Sequence, residues 1–481
     1  MKMNKQKITY ALGIAAFLGS AALFPALADD TTVAGNGAFS ASQVQTSSNN
    51  ATNVSQTNNT QATNTVNTNN NTGNNSADFN TGSSVSINTG AANAQVGISN
   101  TAGSNVAQVS GGTSGGQNTT VAGNGAFSNT NANANSSNNT SLSQANNTTF
   151  TNTVNTSNNT GNNSADFNTG SNVNINTGNA NAWVGIQNTA GSNQAAVSGG
   201  SGGTGTNALV AGNGAFSDNN VGSSSHNSTS LSQTNNTNFT NSVNTYNNTG
   251  KNSADFNTGS SVSINTGDAN AFVGISNMAG QNSAYLVGGG MSGYGGSIAI
   301  LGNGAFSSNN VSQRNALKTA LTQENLTYVA NYVNTMNNTG NNTASFNTGG
   351  AVYLTTGNAN AGVNIFNTAG SNEAWVVSPS YFANAAEIAI LGNGAFSDNS
   401  VNASQYNKTS VHQKNHTMFD NTVNTKNNTG HNSSDYGTGT PIYDSYGNWN
   451  GNSGMSSSYS GGANAGVGMY NLASSNSLSS Y

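Results

Sequence analysis

This sequence predicts an all-β fold: an elongated repeat array, most simply a β-solenoid of five units of about 90 residues. Three observations carry the prediction. A polar pattern with period two is written five times. The spacing inside each copy is fixed. All change in length falls in Gly-rich joints. The same observations also admit tandem small β-domains on Gly-rich linkers, so that arrangement is the alternative.

The first element is a targeting segment, residues 1–28. Lys2, Lys5 and Lys7 precede an apolar run from Ile8 to Phe24, and Ala26-Leu27-Ala28 forms an A-x-A cleavage site before Asp29. That order is the signature of a secretory signal peptide, so the expected location is extracellular or at the cell surface. The units then divide as 29–110, 111–198, 199–287, 288–378 and 379–481.

Each unit opens on Gly-Asn-Gly-Ala-Phe, whose Phe falls at 39, 127, 216, 306 and 396. Next comes the alternating run. In the third copy it reads Leu231, Gln233, Asn235, Thr237, Phe239, Asn241, Val243, Thr245, Asn247, every second residue. Period two marks a strand with one selected face. Here that face is Gln, Asn and Thr, and it can be buried only if each amide bonds to its own copy in the next unit. The expected stacking ladders are Gln56, Gln144, Gln233, Gln323, Gln413 and Asn64, Asn152, Asn241, Asn331, Asn421. The intervening positions drift among unlike residues, as a solvated face does. Asn67, Asn155, Asn244, Asn334 and Asn424 break that rule by never changing. They suggest a bend, because nine alternate positions would span roughly 55 Å at ~3.3 Å per residue.

A second aromatic follows at Phe79, Phe167, Phe256, Phe346 and Tyr436, 40 residues after the first in every copy. From there to the next copy's first Phe the distance varies from 48 to 50. The variation points to the joints at Gly111–Gly116, Gly199–Gly205 and Gly288–Gly296, since loops absorb insertions while paired strands keep length. Between these landmarks lie short strands and turns, as in Gly267-Asp-Ala-Asn-Ala-Phe-Val273. Asn and Gly tolerate positive φ and mark the turns. Turn, strand and turn at this pitch suit stacked coils.

Asn265, Gly267, Asn270 and Ala271 carry a resemblance. The Asn-x-Gly-x-x-Asn-Ala motif is similar to the curlin repeat of bacterial functional amyloid, with Asn for its leading Gln and a shorter interval before Ala. The chain also resembles Asn/Thr/Gly-rich surface repeats of secreted bacterial proteins. Either resemblance implies an extracellular structural role.

Composition excludes several functions. Only 5% of residues are charged, and after signal removal six basic residues face fourteen acids. Nucleic-acid binding needs clustered cations, and so does a polybasic membrane anchor. No second apolar run is long enough to cross a membrane. There is no Cys, hence no disulfide in a chain expected outside the cell. No titratable cluster recurs, so no enzyme activity, cofactor or metal is expected. His412 and His416 lie in a strand-patterned segment and are read as solvent-facing. Asp78, Asp166, Asp255 and Asp435 recur singly and are read as turn residues rather than calcium ligands.

The fifth copy carries an insertion, 441–459, with Tyr443, Asp444, Tyr446, Trp449 and Tyr459. Rings with polar neighbours suit a contact surface, while a terminal cap is the plainer reading. The expected function is therefore a secreted structural or adhesive protein that self-associates into fibres or rods. Its partners would be other copies of itself and, at the insertion, glycans or another cell surface. A ligand-binding solenoid for sugar or ice, without catalysis, is the alternative. Outward Thr rows favour ice binding in copies one and two but give way to Tyr, Met and Lys later.

Overall fold

The computed structural model describes residues 30–112, 118–170, 172–200, 207–259, 261–288, 297–377, 387–435 and 456–480. In the first coil the strands are β1 (Asp30–Ala34), β2 (Ala41–Asn71), β3 (Val85–Asn88), β4 (Ala92–Thr101) and β5 (Asn105–Ser110). The same five recur in every later coil, and the described residues contain no helix. Each strand pairs, parallel and in register, only with its counterparts in the neighbouring coils. The result is five parallel sheets of five strands. The coils stack continuously, which is the solenoid and not the string of separate domains.

The long strand is the main departure from expectation. β2 and its equivalents each run 31 residues without a break. At ~3.3 Å per residue that is about 100 Å, whereas five coils at ~4.8 Å per step span only about 19 Å between the first and last strand. The array is thus a broad, shallow blade whose elongation runs across the stack. No proline falls in any of these strands, so no ladder amide is missing. The bend suggested at Asn67 is absent, and the constancy of that column has another cause. Asn155 Nδ2 donates to Asn67 Oδ1 at 2.8 Å, and Asn244 to Asn155 at 2.9 Å. This is an amide ladder on the solvent face.

Each coil is a flattened two-layer loop. The long strand forms one layer. The chain then turns through an end lobe and returns as β4 and β5, continuing into the first short strand of the next coil. Side chains bridge the layers: Thr46 to Thr31, Asn58 to Asn105 and Asn64 to Asn100. Apolar columns and amide columns alternate along the interior. From the Gly-Asn-Gly-Ala-Phe turn they run Val44 against Val33, then Val54 against Ala107 and Val109. After the Asn58 column comes Ala62, continued by Phe150 and Phe239, against Ala102. Beyond Asn64, Val66 meets Val96 and Ile98. The end lobe holds its own cluster of Ala77, Val85 and Ile87 with their equivalents. The apolar columns supply non-directional burial. The amide columns fix register, because a one-residue slip would place every Asn and Gln on the wrong face.

The turns explain two invariant residue types. A Cβ on Gly161 would stand 1.9 Å from the carbonyl oxygen of Gly250, so the stacked backbones there admit only glycine. Phe39, Phe127, Phe216, Phe306 and Phe396 all have φ between 58° and 64°. This is the left-handed region, which costs a bulky residue roughly 1–2 kcal/mol. Stacking offsets that cost: adjacent rings lie 4.9–5.1 Å apart and close to parallel, an arrangement worth about 0.5–1.5 kcal/mol per pair.

Candidate functional site

Three features of the stack have chemical consequences: the ladders, the two end coils and the outer face of the return layer. The ladders come first because their polarity defines the ends. Gln144 Nε2 donates to Gln56 Oε1 at 2.8 Å, Gln233 to Gln144 at 2.9 Å, Gln323 to Gln233 at 2.8 Å and Gln413 to Gln323 at 2.7 Å. Each Gln amide therefore points toward the first coil. The Asn columns point the other way. Asn64 donates to Asn152, Asn152 to Asn241, Asn241 to Asn331 and Asn331 to Asn421, at 2.7–2.8 Å. The Asn58 and Asn70 columns share that direction. The second hydrogen of most of these amides bonds within the coil, as Gln233 does to Ser283 O at 3.0 Å and Asn64 to Asn100 at 3.0 Å. Central amides in these columns are fully buried and fully used; Asn241 makes four bonds.

The end coils are where this pattern stops. Among the described residues, the first coil presents Asn58, Asn64 and Asn70 oxygens with no donor, and the last presents Asn421 and Asn427 with an axial hydrogen to spare. The Gln column is the mirror case, with a donor at Gln56 and an acceptor at Gln413. Side chains buried in the middle coils are half-exposed at both ends. Phe39 and Phe396 are 77% and 82% exposed, against about half for the three rings between them. Of the nine inward positions from Val54 to Asn70, eight carry the same residue at Val411 to Asn427; only Ala62 and Phe419 differ.

The recurring acids are not isolated turn residues. Asp78 Oδ1 accepts the amide of Asp166 at 2.7 Å and the hydroxyl of Ser164 at 2.8 Å. Asp166 takes Asp255 N at 2.6 Å and Ser253 at 2.7 Å, and Asp255 takes Ser345 N at 2.5 Å. Each carboxylate clamps its own coil to the next. Burial pushes the Asp78 carboxyl up, but hydrogen bonds from Ser76, the Asp166 amide and Ser164 outweigh it and hold the carboxyl below its ordinary 3.8. The solvated-turn reading is corrected on this point. No three of His, Cys, Asp or Glu come together among the described residues. His412 and His416 are both exposed on the outer face, about 13 Å apart along the strand, too far to share one ion.

Of the aromatic insertion, Tyr443, Asp444, Tyr446 and Trp449 lie outside the described residues. Tyr459 ends the fifth coil's equivalent of β3, paired with Thr355, and is exposed. The structure brings a different aromatic set together. Outward positions on the return layer carry Trp183, Phe272, Tyr285, Phe366, Trp375 and Tyr470, each roughly half-exposed. The available signal was the residue between Ala and Val in motifs such as Ala271-Phe272-Val273, which changes from copy to copy and so reads as solvated. Compared with known families, curated proteins and solved structures, the chain matches none.

Proposed function

We propose that this chain is an exported structural protein whose molecules add head to tail, last coil onto first coil, to build an extracellular or cell-surface fibre. The observation that carries this reading is the complementarity of the two ends. Donors of the Asn columns at one end face acceptors at the other, the Gln column matches in the opposite sense, and the inward residues agree at eight of nine positions. Two first coils, or two last coils, would set like groups against like. Only the heterologous contact satisfies the columns, and a heterologous contact that does not close gives a filament. Each junction would repeat a pairing that already joins coils within the chain, 31 residues long on the main strand alone. Charges do not oppose it: Lys408, Lys414 and Lys426 of the last coil would lie over Ala51, Thr57 and Asn69. Export is supported by the lysine, apolar and A-x-A sequence of residues 1–28; without Cys, the exported chain would take its stability from the ladders rather than from disulfides. An adhesive role would rest on the insertion at 441–459.

Engineered cysteines test the contact. Thr57 and Lys414 occupy one outward column, and strand neighbours ~4.8 Å apart fall within disulfide reach. In one molecule they lie four coils apart, so any disulfide must be intermolecular. Oxidation of the Thr57→Cys/Lys414→Cys protein should give a ladder of linked multimers. Thr57→Cys/Met418→Cys, out of column by about 13 Å, should not. Equal linking of both pairs, or none of either, would refute the head-to-tail register.

A further inference from the structure

The return layer carries a groove that neither the ladders nor the end contacts use. It has a volume of about 810 Å³ and crosses the equivalents of β4 along the stack axis. Its floor in the first three coils is Gly97, Gly185 and Gly274, where a Cβ would meet open space. Many glycines in the stack are forced by backbone contact, as at Gly161 and Gly250; at these three no contact requires them. What their smallness creates is a trench on an otherwise pleated face.

The walls are aromatic and change sides. Just outside the lining, Trp183 and Phe272 flank it on one side in the second and third coils, two residues before Gly185 and Gly274 on the same outward face, 5.8 Å apart and tilted by 46°. That tilt differs from the near-parallel stacks at the turns and leaves the indole 64% exposed. Phe272 leans over Gly362, where a Cβ would come within 2.9 Å of the ring, so the wall ends there. On the other side Phe366 and Tyr470 stack at 4.6 Å and 18°. Between the ring pairs the lining offers the amides of Gln187 and Asn364 and the hydroxyls of Ser99 and Ser276, with no charged group.

We propose that this groove binds an extended, neutral polysaccharide chain laid along the stack axis. Sugar rings present apolar C–H faces that pack on aromatic rings, whose faces carry partial negative charge. Their hydroxyls pair with neutral amides and hydroxyls such as those here. The trench spans about 19 Å over five coils, so the occupant is a chain rather than a single sugar. A nucleic acid or acidic glycan would find no cation. A peptide added as a strand needs a sheet edge, and this is a sheet face. The site lies on the side of the blade, on a sheet face rather than on the end surfaces that would meet head to tail, and all its lining comes from one molecule, so it does not depend on head-to-tail assembly.

The test uses the full mature chain with Trp375→Phe and Trp449→Phe, which leaves Trp183 as the only indole. A soluble, neutral β-1,4-linked glucan hexamer should shift its emission saturably, and dextran sulfate should not. Adding Gly274→Leu fills the trench while removing no ring, and Phe366→Ala removes one ring of the Phe366–Tyr470 wall. Each should weaken binding at least about tenfold with β-sheet signal and melting unchanged. Unchanged affinity in the Gly274→Leu protein, equal binding of dextran sulfate, or no response to millimolar hexamer would overturn the proposal. An emission shift that follows protein concentration without glycan would assign the groove to a second copy and overturn it too. The same titration on disulfide-linked multimers and on dispersed protein separates this result from the fibre reading.

Discussion

Replacing Asn241 by Ala should cost several times more than replacing an outward Asn, although both belong to amide ladders. Asn241 is fully buried. It donates to Asn331 at 2.8 Å and Asn277 at 3.2 Å, and accepts from Asn152 at 2.8 Å and Asn188 at 3.0 Å. Each such bond contributes about 0.5–1.5 kcal/mol net, and none is replaced by water in a buried site. The atom that each former partner turned to Asn241 keeps one other bond, as Asn152 Nδ2 does with Asn188 at 3.1 Å, so the loss stops short of a full desolvation penalty. About 3–4 kcal/mol is expected for Asn241→Ala. Asn64→Ala in the first coil removes only two donated bonds and should cost about 2 kcal/mol. Asn155→Ala, on the solvent face, should stay within about 1 kcal/mol because water takes over. Urea unfolding of the whole chain gives the order, with amide exchange around each site as a second probe because stacked repeats can open locally. Asn241→Ala within 1 kcal/mol of Asn155→Ala would refute the claim that buried amide columns hold the coils.

Three further outcomes follow from the geometry. Gly161→Ala forces a methyl to 1.9 Å from the Gly250 carbonyl, while Gly185→Ala points into open space; the first should lower the melting temperature sharply and the second leave it within error. Phe216, at φ 60°, should tolerate Gly better than Ala by about 1 kcal/mol, because both lose the ring stack but only Ala keeps the left-handed strain; denaturant titration of the pair checks this. The Asp78 carboxyl sits below its ordinary 3.8, so its clamp is fully present above that value and is lost as pH falls through the lower folded one. Acid titration of stability should therefore show Asp78→Ala converging on the parent protein at the acid end, and a constant gap would contradict the assignment.

The inner face of the long strand was legible because it obeys two rules at once, alternation along the strand and identity between copies. Gln56, Asn64 and their equivalents satisfy both, so their columns could be written from the sequence. The unbroken length was not legible. Asn67 seemed to violate the solvated face, and only the stacked geometry reveals that outward amides can also ladder. The acid clamps were hidden for a related reason: Asp78 bonds to the backbone of a residue 88 positions away, and no local pattern announces it. The groove was least legible. Its rings sit on the drifting face, where variation reads as solvent exposure, and its floor is glycine, which reads as turn. The single aromatic-rich stretch at 441–459 drew attention instead, since clustering in sequence is easier to see than clustering across coils.

The head-to-tail account is tested most directly by electron cryo-microscopy of the purified chain without residues 1–28. It predicts filaments about 100 Å across the blade, with an axial spacing of ~4.8 Å per coil continuing unbroken through every junction, so that one molecule advances the filament by about 24 Å. Discrete single blades, or filaments whose 4.8 Å spacing is interrupted between molecules, would contradict it.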